Sequence, residues 1–139
     1  MKHLVFKSVL FLLVTIIGSS VFYTAKAQSK QTNPKVFAVI NRADWCPACQ
    51  ANEGKVMREV MPACNKLNVK FIANDLTNEQ TTLKSANELK KHHLFASIKE
   101  SKTTGIIILI NAKTGKVIKE LSITKPSAEL IQEITIAQS

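Results

Sequence analysis

Asp44-Trp45-Cys46-Pro47-Ala48-Cys49 constrains this chain more than any other stretch, because it sets a Cys-x-x-Cys where one kind of secondary structure gives way to another. The run before it, Lys35-Val36-Phe37-Ala38-Val39-Ile40-Asn41, is apolar, rich in β-branched residues and bounded upstream by Asn33-Pro34. That pattern predicts a buried strand. The run after it, from Pro47 to about Leu67, has helical composition and a proline allowed in the first turn. Cys46 then falls at a helix N-terminus, where unpaired amides and the positive end of the helix dipole favour an anion. A thiolate is such an anion, and cysteines so placed have pKa values lowered from about 8.5 to roughly 3.5–7.5. Cys49, three residues on, shares the helix face and can attack a mixed disulfide formed at Cys46. The pattern implies dithiol–disulfide exchange.

Two plainer readings compete with it. Half of a zinc site needs two further ligands at comparable spacing. The candidates are Cys64, His3, His92 and His93, of which His3 lies in a targeting segment and the adjacent histidines point to different sides of a helix. No metal is therefore assigned. A structural disulfide across a two-residue gap would constrain little chain entropy.

The first 27 residues read as a signal peptide. Lys2, His3 and Lys7 form a positive start, Val9 to Ile17 is apolar apart from Thr15, and Ala25-Lys26-Ala27 offers a cleavage site before Gln28. The apolar stretch from Ser8 to Tyr23 is shorter than the roughly 20 residues that span a bilayer. An uncleaved anchor is the alternative. Residues 28–34 read as a flexible polar lead and 35–139 as one domain, long enough to bury a core. Three of the 19 lysines and arginines precede Gln28, leaving 16 against 10 acidic residues in the exported chain. These basic residues form no dense tract and are not interleaved with aromatics, which argues against a nucleic-acid partner.

Along the domain, Met61-Pro62 should kink or divide the first helix. Val69–Ala73 reads as a second strand ending at Asn74-Asp75, and Asn78 to about Phe95 as a helix with Leu83, Ala86, Leu89, Lys90 and His93 at helical spacings. Ser97–Thr104 is a polar connection. Gly105–Ile110 reads as a central strand, Asn111–Gly115 as a turn, and Lys116–Leu121 as a half-buried strand completing a hairpin. Pro126 opens a last helix with Leu130, Ile131 and Ile134 as its buried stripe. The order β-α-β-α-β-β-α, with a helical crossover between the first two strands, implies an α/β fold: a central mixed sheet flanked by helices.

At this point the chain resembles the thioredoxin superfamily, and is most similar to the C-terminal periplasmic thioredoxin domain of DsbD-type thiol reductases. The likeness rests on Ala43-Asp44-Trp45-Cys46-x-x-Cys49 after a strand, Asn74-Asp75-Leu76-Thr77 after the next, and an apolar strand leading to Asn111-x-x-x-Gly115. It implies a thioredoxin-like fold and an oxidoreductase with Cys46 as nucleophile and Cys49 as resolver, and it implies no cofactor. Trp45 would present an apolar surface to clients, and Pro47 and Ala48 would tune the reduction potential. The resemblance further implies a periplasmic location, disulfide-containing exported proteins as clients, a reducing direction and a membrane electron donor.

The superfamily usually carries a cis-proline before the third core strand. Here that place falls at Thr104-Gly105, which would line the client groove, and no proline occurs from Ala63 to Lys125. The difference raises an alternative, a thioredoxin-fold binding module that is metal-binding or noncatalytic. The superfamily also often buries an acid beneath the cysteines, whereas Ile40-Asn41 stands here. Asp44 reads as a surface charge, Glu53 as an alternative proton carrier, Arg42 as a possible electrostatic support for the thiolate, and Cys64 as a small core residue.

Overall fold

The computed structural model describes residues 33–139. The signal-peptide segment 1–27 and most of the lead 28–34 lie outside the described residues. Four strands form one sheet in the order β2-β1-β3-β4: β1 Val36–Arg42, β2 Val69–Asp75, β3 Ile106–Asn111 and β4 Val117–Ser122. β2 runs parallel to β1, whereas β3 is antiparallel to both β1 and β4. The mixed sheet follows from the connections: a helical crossover permits the parallel pair, and a short turn requires the antiparallel one.

Side chains of β1 alternate between two cores. Val36, Ala38 and Ile40 face one that contains Cys46, Cys49, Val56, Leu130 and Ile134. Phe37 and Val39 face the other, with Leu89, Leu94 and Ile98. Helices α1 (Pro47–Lys55) and α5 (Ser127–Ile136) thus cover one face, and α3 (Glu79–Lys91) and α4 (Phe95–Ile98) the other. Among the described residues no helix is long and apolar enough to cross a membrane.

Several boundaries differ from the sequence reading. The helix over 47–67 is divided near Met61-Pro62 as expected, but through a π-helical segment, Val56–Val60, that follows α1, and it ends early in a final turn, α2 (Met61–Ala63). The Met61 amide reaches five residues back to the Val56 carbonyl, and Pro62 has no amide with which to resume the ladder at once. The helix expected to run to Phe95 stops at Lys91. His93 takes a left-handed conformation (φ 58°), the Leu94 amide bonds the Leu89 carbonyl at 2.9 Å, and the His93 amide bonds that of Lys90 at 3.0 Å. This is a Schellman cap, closed by Leu94 and Leu89 packing in the same core. Part of the connection after Phe95 is therefore helical, as α4. Leu83, although expected on the helical stripe with Ala86, is 59% exposed; Ser85 and Leu89 are the buried residues of α3.

β2 runs through Asn74-Asp75, where the strand is expected to end, and β3 starts at Ile106, one residue later than expected, because Gly105 takes φ +76°. β4 is not the half-buried strand expected: Val117 and Ile118 are exposed and Leu121 is its buried residue. It forms one edge of the sheet and lies largely uncovered. In α5, Leu130 and Ile134 are buried and Ile131 is half-buried.

Candidate functional site

Cys46 is the N-cap of α1, extended at φ −84° and ψ 114°, with Pro47 in the first turn. Its sulfur accepts the Cys49 amide at 3.3 Å, as a capping oxygen would. The Cys49 thiol donates to the same sulfur at 2.8 Å. Both cysteines are free and buried. Burial alone would push the Cys46 pKa up, but hydrogen bonds from the Cys49 thiol, the Thr104 hydroxyl and the Cys49 and Ala48 amides outweigh it and bring Cys46 below the ordinary thiol value. Cys49 moves the other way. Its burial, its donated hydrogen bond and the adjacent Cys46 charge hold its proton on, against weaker opposing bonds from the backbone of Ala43 and Gly105. One thiol is thus poised to ionise and its neighbour to stay protonated.

Pro47 is exposed, Ala48 half-buried and Trp45 60% exposed at the turn. Thr104 and Gly105 come to the cysteines from the start of β3. A Cβ at Gly105 would lie 3.1 Å from Ala48 Cβ and 3.6 Å from Cys46 Sγ, so the backbone approaches the pair where a side chain would crowd it. All seven residues singled out from the sequence therefore sit on one turn or directly against it.

Arg42 lines the same cavity as Cys49, but its charge is taken up by carboxylates. Its guanidinium pairs with three carboxylates: Asp44 at 2.6 Å, Glu53 at 2.8 Å and Asp75 at 2.5 Å. Burial would lower the Arg42 pKa, but these carboxylates raise it and keep the charge in place. Asp44 is a surface charge, and Glu53 is held by Arg42 at the edge of an apolar cavity of about 160 Å³ that Cys49 also lines. Cys64 packs in the core, where burial pushes its thiol up.

Asn41, noted in the sequence only as standing where an acid is often buried, has a further role in the structure. It is fully buried, accepts Asn74 Nδ2 at 2.8 Å, and donates to Ser101 Oγ at 3.2 Å and the Thr103 carbonyl at 3.1 Å. Its own carbonyl accepts the Gly105 amide at 2.8 Å. The loop that delivers Thr104 and Gly105 is held by the side chain and the backbone carbonyl of this residue. Its sequence signal was weak: an asparagine at the end of an otherwise apolar strand.

Asp75 binds Arg42 and accepts both the amide and the hydroxyl of Thr77. Burial favours its neutral form, but the two Thr77 bonds and Arg42 outweigh that and hold it below its ordinary value of 3.8. Its stabilising contribution is therefore complete above the unfolded-state value and is lost as pH falls through the lower folded value. Chemical denaturation of wild type and Asp75→Asn should show a stability gap at pH 7 that closes progressively below about pH 4. A gap independent of pH would show that the carboxylate charge plays no part.

The sheet order, the two helical layers and the Cys-x-x-Cys at the start of α1 define a thioredoxin-like α/β fold bearing a close cysteine pair that fits a redox motif. Among solved structures, the chain is similar to the crystal structure of Trxlp from Edwardsiella tarda EIB202, at 15% identity over 76% of this chain and 86% of that one, with a TM-score of 0.49. No protein-family model and no curated protein matches the sequence.

Proposed function

We propose that this chain is an exported thiol–disulfide oxidoreductase that reduces disulfides of exported proteins. The observation that carries the exchange chemistry is two buried thiols in contact at a helix N-terminus, Cys49 Sγ donating to Cys46 Sγ at 2.8 Å, an arrangement that lowers Cys46 and raises Cys49. In the first step the Cys46 thiolate attacks one sulfur of a client disulfide, forming a mixed disulfide and releasing a client thiolate. Charge on Cys46 is then consumed, which removes the like-charge penalty on Cys49. Cys49 loses its proton to solvent and attacks Cys46 Sγ, forming the Cys46–Cys49 disulfide and releasing the second client thiolate. Two electrons pass to the client, and a dithiol donor must return them. The reducing direction, the periplasmic location and a membrane electron donor follow from the resemblance of the Ala43–Cys49 motif to DsbD-type domains.

A binding module is the second reading, favoured by Gly105, which adds no side chain of its own beside Cys46. Among the described residues no three His, Cys, Asp or Glu side chains gather into a metal-holding group. A metal here would rest on the two thiolates and external ligands.

The reduction potential of the Cys46–Cys49 pair, measured by thiol labelling across dithiothreitol and glutathione buffers, tests the proposal. A value near the roughly −270 mV of thioredoxin is expected. A value near the roughly −120 mV of DsbA-type oxidants would reverse the direction. Failure to form a reversible disulfide, with stoichiometric metal in protein purified without added metal, would favour the binding module.

A further inference from the structure

We propose that Thr77 and Asp75 are positioning residues that fix Trp45 as a docking platform for an apolar side chain flanking the client disulfide, an inference that rests on the exchange reading above. Trp45 is a large apolar side chain left 60% exposed beside Cys46. Its indole N–H donates to the Thr77 carbonyl at 3.2 Å. The Thr77 hydroxyl accepts the Asp44 amide at 3.0 Å and donates to Asp75 Oδ1 at 2.5 Å, and the Thr77 amide donates to the same oxygen at 2.9 Å. Asp75 is itself anchored twice. Its Oδ2 takes Arg42 Nη1 at 2.5 Å, and its amide donates to Ser85 Oγ at 2.9 Å on α3. The turn carrying Trp45 is thus fastened to the end of β2 and, through it, to α3.

The physical consequence concerns binding entropy. An exposed aromatic free to rotate loses that freedom when a partner covers it, whereas one already held in a single orientation loses little. Fixed tryptophans are good contact anchors for that reason, offering wide apolar area on a stiff side chain. A client polypeptide with an apolar residue beside its cystine would cover Trp45 while its sulfur meets Cys46. A small aromatic disulfide needs Cys46 and gains little from the platform. Thr77 and Asp75 should therefore set affinity for polypeptide clients and leave the thiol chemistry alone.

Trp45 is the sole tryptophan, so its fluorescence reports the clamp directly. Thr77→Val removes the hydroxyl and keeps the volume and the carbonyl, and Thr77→Ser restores the hydroxyl. In Thr77→Val, acrylamide quenching of Trp45 should rise about twofold, and KM for a disulfide-bonded peptide with leucine beside its cystine about fivefold, the scale of one lost hydrogen bond. Its kcat, and its rate with 5,5′-dithiobis(2-nitrobenzoate), should stay within about twofold, and Thr77→Ser should restore both quenching and KM. Should Thr77→Val not fold, Asp75→Asn, which weakens the anchor to Arg42, should show the same pattern. Wild-type quenching and wild-type KM in Thr77→Val would overturn the proposal. So would an equal loss of peptide and small-disulfide rates in a variant of unchanged circular dichroism, since Thr77 would then act on the cysteines. If wild type exchanges with neither disulfide, the exchange reading fails, and quenching alone still decides whether Thr77 holds Trp45.

Discussion

Cys46→Ser should abolish disulfide exchange, a loss on the order of 10³-fold or more, as expected when the attacking atom is removed. Cys49→Ser should also stop turnover, but at a different step. Cys46 would still attack, the mixed disulfide would have no resolver, and the variant should accumulate covalently joined to its client on a nonreducing gel. Loss of the fold does not explain either result. Serine is itself a good N-cap and can take the Cys49 amide in place of the Cys46 sulfur. At position 49 a hydroxyl can still donate to Cys46 Sγ, as the thiol does. The measurement is steady-state reduction of a disulfide-bonded protein alongside trapping of the covalent adduct. Full turnover by either variant would sink the assignment of a two-cysteine cycle.

The second large effect is expected at Gly105→Ala, and it should fall on stability and chemistry together. Gly105 holds φ +76°, a region that L residues enter at a cost of about 1–2 kcal/mol. The added methyl would also press on Ala48 Cβ at 3.1 Å, and Ala48 belongs to the α1 turn between the cysteines. A loss of about 2 kcal/mol is expected, or roughly 10 °C in Tm for a domain of this size. The methyl would stand 3.6 Å from Cys46 Sγ, within van der Waals contact, and partly cover the sulfur that must be reached. Exchange should fall about tenfold even below the unfolding transition. Calorimetry and initial rates at 25 °C check the two parts separately. Wild-type behaviour in both would mean that the close approach of β3 to the cysteine pair has no consequence.

These two sites were legible in the sequence to different degrees. Cys46 and Cys49 could be placed because the argument is local: an apolar run ends, a proline-bearing helix begins, and three residues separate two sulfurs on one helix face. Thr104 and Gly105 could be named only through the resemblance, since they are more than fifty residues away in the chain and meet the pair by strand register. The pairing of β1 with β3 places Asn41 opposite Ile106, and so sets Gly105 beside the turn that carries the cysteines. Asn74-Asp75-Leu76-Thr77 was visible as a motif after the second strand, but its task was not. That task depends on the parallel pairing of β1 with β2, which brings Arg42 opposite Asp75.

Arg42 shows why charge roles resist sequence reading. As a lone cation next to the motif it was a candidate support for the thiolate. In the fold it meets Asp44 from its own turn, Glu53 from α1 and Asp75 from β2, and three nearby carboxylates leave its charge fully engaged. An ion pair depends on separations of a few ångströms, and sequence distance does not report them.

The sequence by itself determined what short-range physics determines: the strand–turn–helix that carries the cysteines, the helix N-terminus that favours a thiolate, and the alternation of β1 that builds two cores. Each needs only neighbours within a turn or a pleat. Tertiary structure alone decided which distant groups complete the site. Strand register placed Gly105 against Cys46, the buried Asn41 pinned the loop that brings it there, and the paired ends of β1 and β2 joined Arg42, Asp75 and Thr77 beneath Trp45. The physical reason is range: propensity and capping act along the chain, while packing and pairing act through space, and the geometry of the candidate site is made by the second acting on the first.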